Sequence, residues 1–275
     1  MRANDLRLPD WTLDTVPWDR VDRDAARRQG QLLDLVAAAS FVEIASDLYT
    51  RNLASYAQGN ESLTRWLATG WEHEEMRHGH VLRDYVRHVD PDFDWQAAYT
   101  AFFAEYSALC TLDEFEPTPG LEMAARCVVE TGTATYYEAL SLAAKEPVLA
   151  GITALIRADE VRHFKHFYRY FRDYQERESH GRLRVLRVVL KRVIEARNSD
   201  AECALWHVFH TRHAGERRNG AAFREFCRAS TRAVMRHYPI GMAIRMALKP
   251  VDLAPSVARR VEPALEWAAR RVLTL

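Results

Sequence analysis

Residues 71–80 read WEHEEMRHGH, and the later stretch 158–163 reads ADEVRH. On an α-helix, residues i and i+3 share a face. Glu75 with His78, and Glu160 with His163, therefore each set a carboxylate beside an imidazole. The two motifs belong to a faint internal repeat. EEMRHGHVLRDYVR at 74–87 aligns on DEVRHFKHFYRYFR at 159–172 with a constant offset of 85 residues.

A single Glu-x-x-His is a weak signal, because most helical glutamates are solvated. Its weight here comes from what precedes each copy. Glu43 interrupts the apolar run SFVEIAS and Glu130 the run RCVVETGT, 32 and 30 residues ahead of Glu75 and Glu160. Each interval spans about one helix, a turn and a return to the same depth. A glutamate flanked by Phe, Val and Ile faces inward, and an unpaired buried carboxylate costs tens of kcal/mol on a Born estimate. Such groups must be protonated, paired with arginine or bound to cations. Two divalent ions would balance Glu43, Glu75, Glu130 and Glu160, and the order Glu, ExxH, Glu, ExxH is that of di-metal carboxylate bundles.

The expected metal ligands are therefore Glu43, Glu75, His78, Glu130, Glu160 and His163. Glu75 and Glu160 are the natural bridges, with Glu43 and Glu130 terminal. Oxygen and imidazole donors without thiolate suit iron, manganese or a mixed Mn/Fe pair, and zinc also fits. Metal-bound imidazoles usually donate their outer N–H to a carboxylate. Glu74 and Asp159 are candidates for that role, with Arg77 and Arg162 as counter-charges. The same four residues could instead form a surface ion-pair set.

Around these motifs the chain reads as all-α, since apolar residues recur at three- and four-residue spacing and no run alternates with period two. The expected layout is a lead-in over 1–20, a ferritin-like four-helix bundle with a central crossover over 21–180, and a basic helical extension over 181–275 packed on it. Helices are expected at roughly 22–58, 61–89, 92–112 (the crossover), 119–146 and 147–178. Later breaks fall near Asn219-Gly220, Pro239 to Gly241 and Pro250. The formal net charge of zero conceals an asymmetry, because residues 181–275 carry 19 Lys+Arg against 8 Asp+Glu. The opening MRANDLRLPDW has no secretory apolar region, and no apolar run is long enough for a membrane span. Cys110, Cys127, Cys203 and Cys227 are scattered without CxxC, which fits reduced thiols and a cytoplasmic location.

Trp71-x-x-Glu74-Glu75-x-Arg77-His78-Gly79 and Ala158-Asp159-Glu160-x-Arg162-His163 resemble the two metal motifs of the soluble acyl-carrier-protein desaturases, within the ferritin-like superfamily. The resemblance covers roughly residues 30–175. It implies the same six ligands, two iron ions, an external electron-donor protein, a homodimer, and a role for Thr133 beside the oxygen site. Around Glu43 only the glutamate and Tyr49 are shared, and nothing after residue 180 aligns. The related N-oxygenases place a further histidine where this chain has Ile156.

The reaction expected is O2-dependent hydrogen abstraction from an acyl or similar alkyl chain. Hydroxylation of another small molecule and ferritin-like iron oxidation or storage are the alternatives. Ala37, Ala38, Ala39 and Ser40 could leave room for an alkyl chain or simply allow close helix packing. In 182–197, Leu183, Leu186, Leu190 and Val193 share one face and Arg184, Arg187 and Lys191 another. That basic face suits acyl carrier protein or another anionic carrier, anionic lipid included, or is merely solvated. Nucleic acid is not expected, for want of an aromatic platform. His207, His210 and His213 lie three apart with no carboxylate among them and are not read as a metal site.

Overall fold

The computed structural model describes residues 11–57, 59–109, 115–195 and 200–273, and Cys110 lies outside them. The described residues contain helices and turns and no strand. In chain order the helices are α1 (Arg23–Arg27), α2 (Gly30–Ile44), α3 (Ser46–Tyr56), α4 (Glu61–Trp66), α5 (Glu72–Val89), α6 (Trp95–Leu109), α7 (Pro119–Ala143) and α8 (Pro147–Glu178). They continue as α9 (Arg182–Glu195), α10 (Asp200–Arg212), α11 (Ala221–Met235), α12 (Ile240–Leu248) and α13 (Pro255–Leu273). None is long and apolar enough to cross a membrane.

Local chemistry explains the sharpest boundaries. α7 and α8 both begin with proline at the first position, where the missing N–H costs nothing. Thr118 caps α7 by accepting from the Leu121 N–H, and Glu146 caps α8 by accepting from the Val148 and Leu149 N–H groups. The buried Glu146 carboxylate also accepts from the Tyr85 hydroxyl at 2.9 Å, so the cap is tied to α5. Helix α5 stops at Asp90, whose backbone leaves the helical region ahead of Pro91.

Two expected helices differ from those observed. The span 22–58 divides into α1, α2 and α3, and α2 ends at Ile44, at a break centred on Ala45. The span 61–89 is interrupted by a π-helical turn, Leu67–Trp71, directly before the metal motif. That wider turn inserts a residue into the helical register. Trp71, at its end, is buried.

Helix α7 packs along α8, α2 along α5, and α5 meets α8. One apolar cluster contains Phe41, Ile44, Leu82 and Tyr85 and extends to α6 and α10. A second contains Cys127, Val128, Phe164 and Phe167 and extends to α9. Glu43 sits in the first sequence neighbourhood and Glu130 in the second, so the acidic residues fall where the clusters meet. The C-terminal helices pack onto this body, α9, α11 and α12 against α7, and α10 against α2 and α6.

The small residues of α2 serve close packing. Ala37 and Ser40 are fully buried, and the Ser40 hydroxyl accepts from the Trp95 indole N–H at 2.9 Å. Helix α9 turns differently from its leucine pattern. It buries Val185, Val188 and Val189, whereas Leu183 is 83% exposed and Leu190 53%. The lead-in also does more than precede the body, because Trp11 is buried in it.

Candidate metal centre

Four helices deliver the six expected ligand residues to one place: Glu43 on α2, Glu75 and His78 on α5, Glu130 on α7, Glu160 and His163 on α8. All six are buried. Their donor atoms form two overlapping groups, Glu43/Glu75/His78/Glu160 and Glu75/Glu130/Glu160/His163, each within a 4.8 Å span. Glu75 and Glu160, the two carboxylates expected to bridge, are common to both groups.

The imidazoles face inward through Nδ1. His78 Nδ1 lies 3.1 Å from Glu160 Oε1 and 3.8 Å from Glu43 Oε2. His163 Nδ1 lies 3.0 Å from Glu75 Oε1 and 3.6 Å from Glu130 Oε2. Their outer nitrogens are taken by carboxylates. His78 Nε2 lies 3.0 Å from Asp159 Oδ2, and His163 Nε2 lies 2.7 Å from Glu74 Oε2. A proton kept on Nε2 by the carboxylate would leave the Nδ1 lone pair free for an ion in the cage.

That pairing is crossed. The Asp of the second motif holds the histidine of the first, and the Glu of the first holds the histidine of the second. Arg77 donates to Asp159 at 2.9 Å and Arg162 to Glu74 at 2.7 Å, with a further Arg162–Asp159 contact of 2.8 Å. Asp159 is buried and Glu74 only partly exposed. These four groups thus form one partly buried network around the imidazoles, and not an ion-pair set out on the surface.

Protonation in the metal-free cage reflects the crowding. Burial raises the Glu75 carboxyl well above the usual range, and the neighbouring Glu160 and Glu43 carboxylates add to it. Burial pushes Glu130 up to about 8, opposed by the His163 imidazole. Burial also works against ionised Glu160, yet His163 and His78 outweigh it and hold its carboxyl below the ordinary range. Both imidazoles are raised. Burial opposes their charge, but Asp159, Glu160 and Glu43 around His78 prevail, as do Glu130, Glu160 and Glu74 around His163. Asp159 stays low despite its burial because His78, Arg162 and Trp11 all favour its anion.

The fit to metal rests on which atoms are left over. His78 Nδ1, His163 Nδ1 and Glu160 Oε1 are buried with no hydrogen-bond partner. Orphaned buried polar atoms are rare in folded proteins, and each asks for an explanation. All three point into the same cage, among carboxylates that a divalent ion would neutralise. The donor set is oxygen and imidazole, which suits iron or manganese.

Thr133 lies one turn after Glu130, and its hydroxyl donates to Glu160 Oε2 at 2.5 Å. Ile156 is fully buried, so no histidine is added at that position. Cys127 is buried one turn before Glu130. Two contributors were not evident in the sequence. The Trp11 indole N–H donates to Asp159 Oδ2 at 2.9 Å, and its ring stacks on His78 at 6.1 Å and 6°. The Arg77 guanidinium covers the other part of that ring, 4.5 Å from its centroid. The Tyr137 hydroxyl donates to Glu43 Oε1 through a short hydrogen bond inside the core. Tyr137 follows Glu130 by seven residues, so helical spacing could have found it. Nothing local could have found Trp11.

A scan of protein-family models and a search of curated proteins both return no match to this chain.

Proposed function

We propose that this protein is a ferritin-like di-metal oxidase of the kind its motifs resemble, the soluble acyl-carrier-protein desaturases, and that it removes hydrogen from an acyl or similar alkyl chain. The observation that carries the reading is the cage itself. Four buried carboxylates and two inward Nδ1 atoms converge, three of those donor atoms make no hydrogen bond outside the cage, and two carboxylates are shared between both halves. Glu43, Glu75, His78, Glu130, Glu160 and His163 would hold two iron ions, with manganese in one or both positions compatible with the donors. Bound ferrous iron supplies the electrons that activate O2.

The protein's own residues would do the rest. Asp159 and Glu74 orient the imidazoles and keep the proton on Nε2. Arg77 and Arg162 keep those two carboxylates ionised. Thr133 holds one oxygen of Glu160 by its hydroxyl, and its partly exposed position puts that hydroxyl where a proton could be passed toward the centre. Tyr137 fixes the orientation of Glu43. The buried apolar residues around the cage, Phe41, Ile44 and Phe164 among them, keep water from reactive species.

The same centre can support hydrogen loss from two neighbouring carbons or oxygen insertion, and substrate position decides between them. An anionic carrier would meet the exposed Arg184 and Arg187 of α9. Lys191, by contrast, is engaged with Glu116 at 2.8 Å. A separate donor protein would supply electrons. A cytoplasmic homodimer is the setting in which such enzymes are expected to work.

The test is a mass spectrum of acyl carrier protein carrying a long saturated chain, after incubation with the iron-loaded protein, a reductant and O2. Loss of two hydrogens, absent in Glu160→Ala, is the expected result. An added oxygen atom would make the protein a hydroxylase. An unchanged chain with O2 still consumed would overturn the acyl-chain reading in favour of iron oxidation.

A further inference from the structure

A second group of metal-ligating side chains lies away from the cage and shares none of its residues. Cys203 and His207 stand one turn apart on α10 and so share a face, and α10 packs against α6. Glu105 projects from α6 to meet them. One donor atom from each of the three falls within a 4.8 Å span. His207 Nε2 lies 2.9 Å from Glu105 Oε2, while the Arg218 guanidinium is bonded to the other oxygen, Oε1. Cys203 and His207 are buried, 1% and 8% exposed. The histidine triplet of α10 does not hold together as a unit. His210 stacks on Trp206 and His213 packs on Phe209, leaving His207 alone facing α6.

We infer that Glu105, Cys203 and His207 form a binding site for a thiophilic divalent cation, Zn2+ foremost. Thiolate, imidazole and carboxylate are all zinc ligands, and three of them leave a fourth, tetrahedral position for water. The thiolate separates this site from the oxygen-and-imidazole cage, which favours harder ions. Binding breaks the Cys203 S–H bond, forms a sulfur–metal bond and releases the proton to solvent, with no change of oxidation state. The ion also takes the place of the hydrogen between His207 Nε2 and Glu105 Oε2; that hydrogen passes through solvent to Nδ1, so the neutral imidazole presents its Nε2 lone pair and one proton in all is released.

Arg218 also reaches the Cys203 sulfur, where its charge favours the thiolate. It occupies the oxygen facing away from His207, as Arg162 occupies one oxygen of Glu74 while the other serves His163. In both places an arginine fixes the carboxylate plane and balances charge. An ion here would fasten the C-terminal part of the chain to the crossover helix, because α10 and α6 each supply ligands. The inference is independent of the reaction proposed above.

The probe is Co2+ titrated into the metal-free full chain, because a thiolate ligand gives cobalt an intense near-ultraviolet charge-transfer band that oxygen and nitrogen donors do not. The expected result is such a band, its full amplitude that of one thiolate-bound ion per chain whatever the cage takes up, and bleached by Zn2+. It should be lost in Cys203→Ser and His207→Ala and persist in Glu160→Ala, Cys127→Ser and Cys227→Ser. No band in the unmodified chain, or a band surviving Cys203→Ser, would overturn the assignment. A second measurement needs no variant. Zn2+ should slow alkylation of Cys203, read by peptide mass, by about tenfold or more, as a bound thiolate is withdrawn from reaction. An unchanged rate would count equally against the site.

Discussion

Gly79 leaves no room beside Ile44. A Cβ built on Gly79 would come within 2.4 Å of the Ile44 side chain and 2.7 Å of its backbone nitrogen. Here α2 and α5 approach closely, one residue after His78 and one residue after Glu43 in their respective helices. Glycine is required here for the contact and not for its backbone freedom.

Gly79→Ala should therefore separate the two helices, since the obstructing atom on α2 is backbone and cannot swing aside. Overpacking of this kind typically costs about 1–3 kcal/mol. Glu43 would move away from Glu75 and His78, so metal stoichiometry should fall along with the melting temperature. Full metal loading in a merely destabilised Gly79→Ala protein would show that the approach does not position Glu43.

Trp11→Phe preserves a ring against His78 but removes the indole N–H from Asp159. A hydrogen bond to a charged group contributes about 1.5–3 kcal/mol, and denaturant unfolding should show a loss within that range. The remaining partners of Asp159, which are His78, Arg77 and Arg162, should keep it in place, so metal should still bind. Trp11→Ala also deletes the buried ring and should cost more, about 3–5 kcal/mol.

Metal loading should release protons. Burial pushes Glu130 up to about 8, so it is largely protonated in the metal-free cage at neutral pH, and the Glu75 carboxyl is also raised well above its usual range. Ferrous or cobaltous ion can bind only by displacing those protons. Affinity should then rise as pH increases from about 6 to 8, and a weakly buffered solution should acidify on titration. Calorimetry in buffers of different ionisation enthalpy measures the proton count directly.

Glu75→Gln should abolish the paired centre and stabilise the metal-free protein. The sign follows from proton binding. A carboxyl raised in the folded state holds a proton that the unfolded chain releases, so stability falls as pH rises from the unfolded value toward the folded one. The amide carries no such penalty, and each pKa unit of the shift is worth about 1.4 kcal/mol. Metal-free Glu75→Gln should melt above wild type at pH 7, with the gap closing near pH 4. Equal melting across that range would mean that Glu75 is not strained by its neighbours.

Much of the site could be read from the chain because its chemistry is local. Glu75/His78 and Glu160/His163 declare themselves by i,i+3 spacing, and Glu43 and Glu130 by standing in apolar runs. The second tier was harder. Glu74 and Asp159 were legible as the partners of the imidazoles, but not that each serves the opposite motif, since that depends on how α5 and α8 lie together. Trp11 meets Asp159 across 148 residues of chain with no periodicity to announce it. The leucine and valine stripes of α9 both satisfy helical spacing, and only docking on α7 selects the valines. The π-helical turn at Leu67–Trp71 has no distinguishing composition. Cys203 and His207 carried a metal-binding spacing of their own, yet their carboxylate comes from α6, which no local reading supplies.

The crossed hold on the imidazoles makes the two motifs answerable to each other. Asp159 lies one residue before Glu160 yet steadies His78, and Glu74 lies one residue before Glu75 yet steadies His163. A slip of α8 along α5 by a single helical turn would strip both histidines of their support at once. Neither half can drift, be lost or be rebuilt while its counterpart keeps working, so damage to one motif disables the pair. A chain that began as two copies of one helix motif could thus shed its symmetry nearly everywhere else, but not in the mutual register of these two helices.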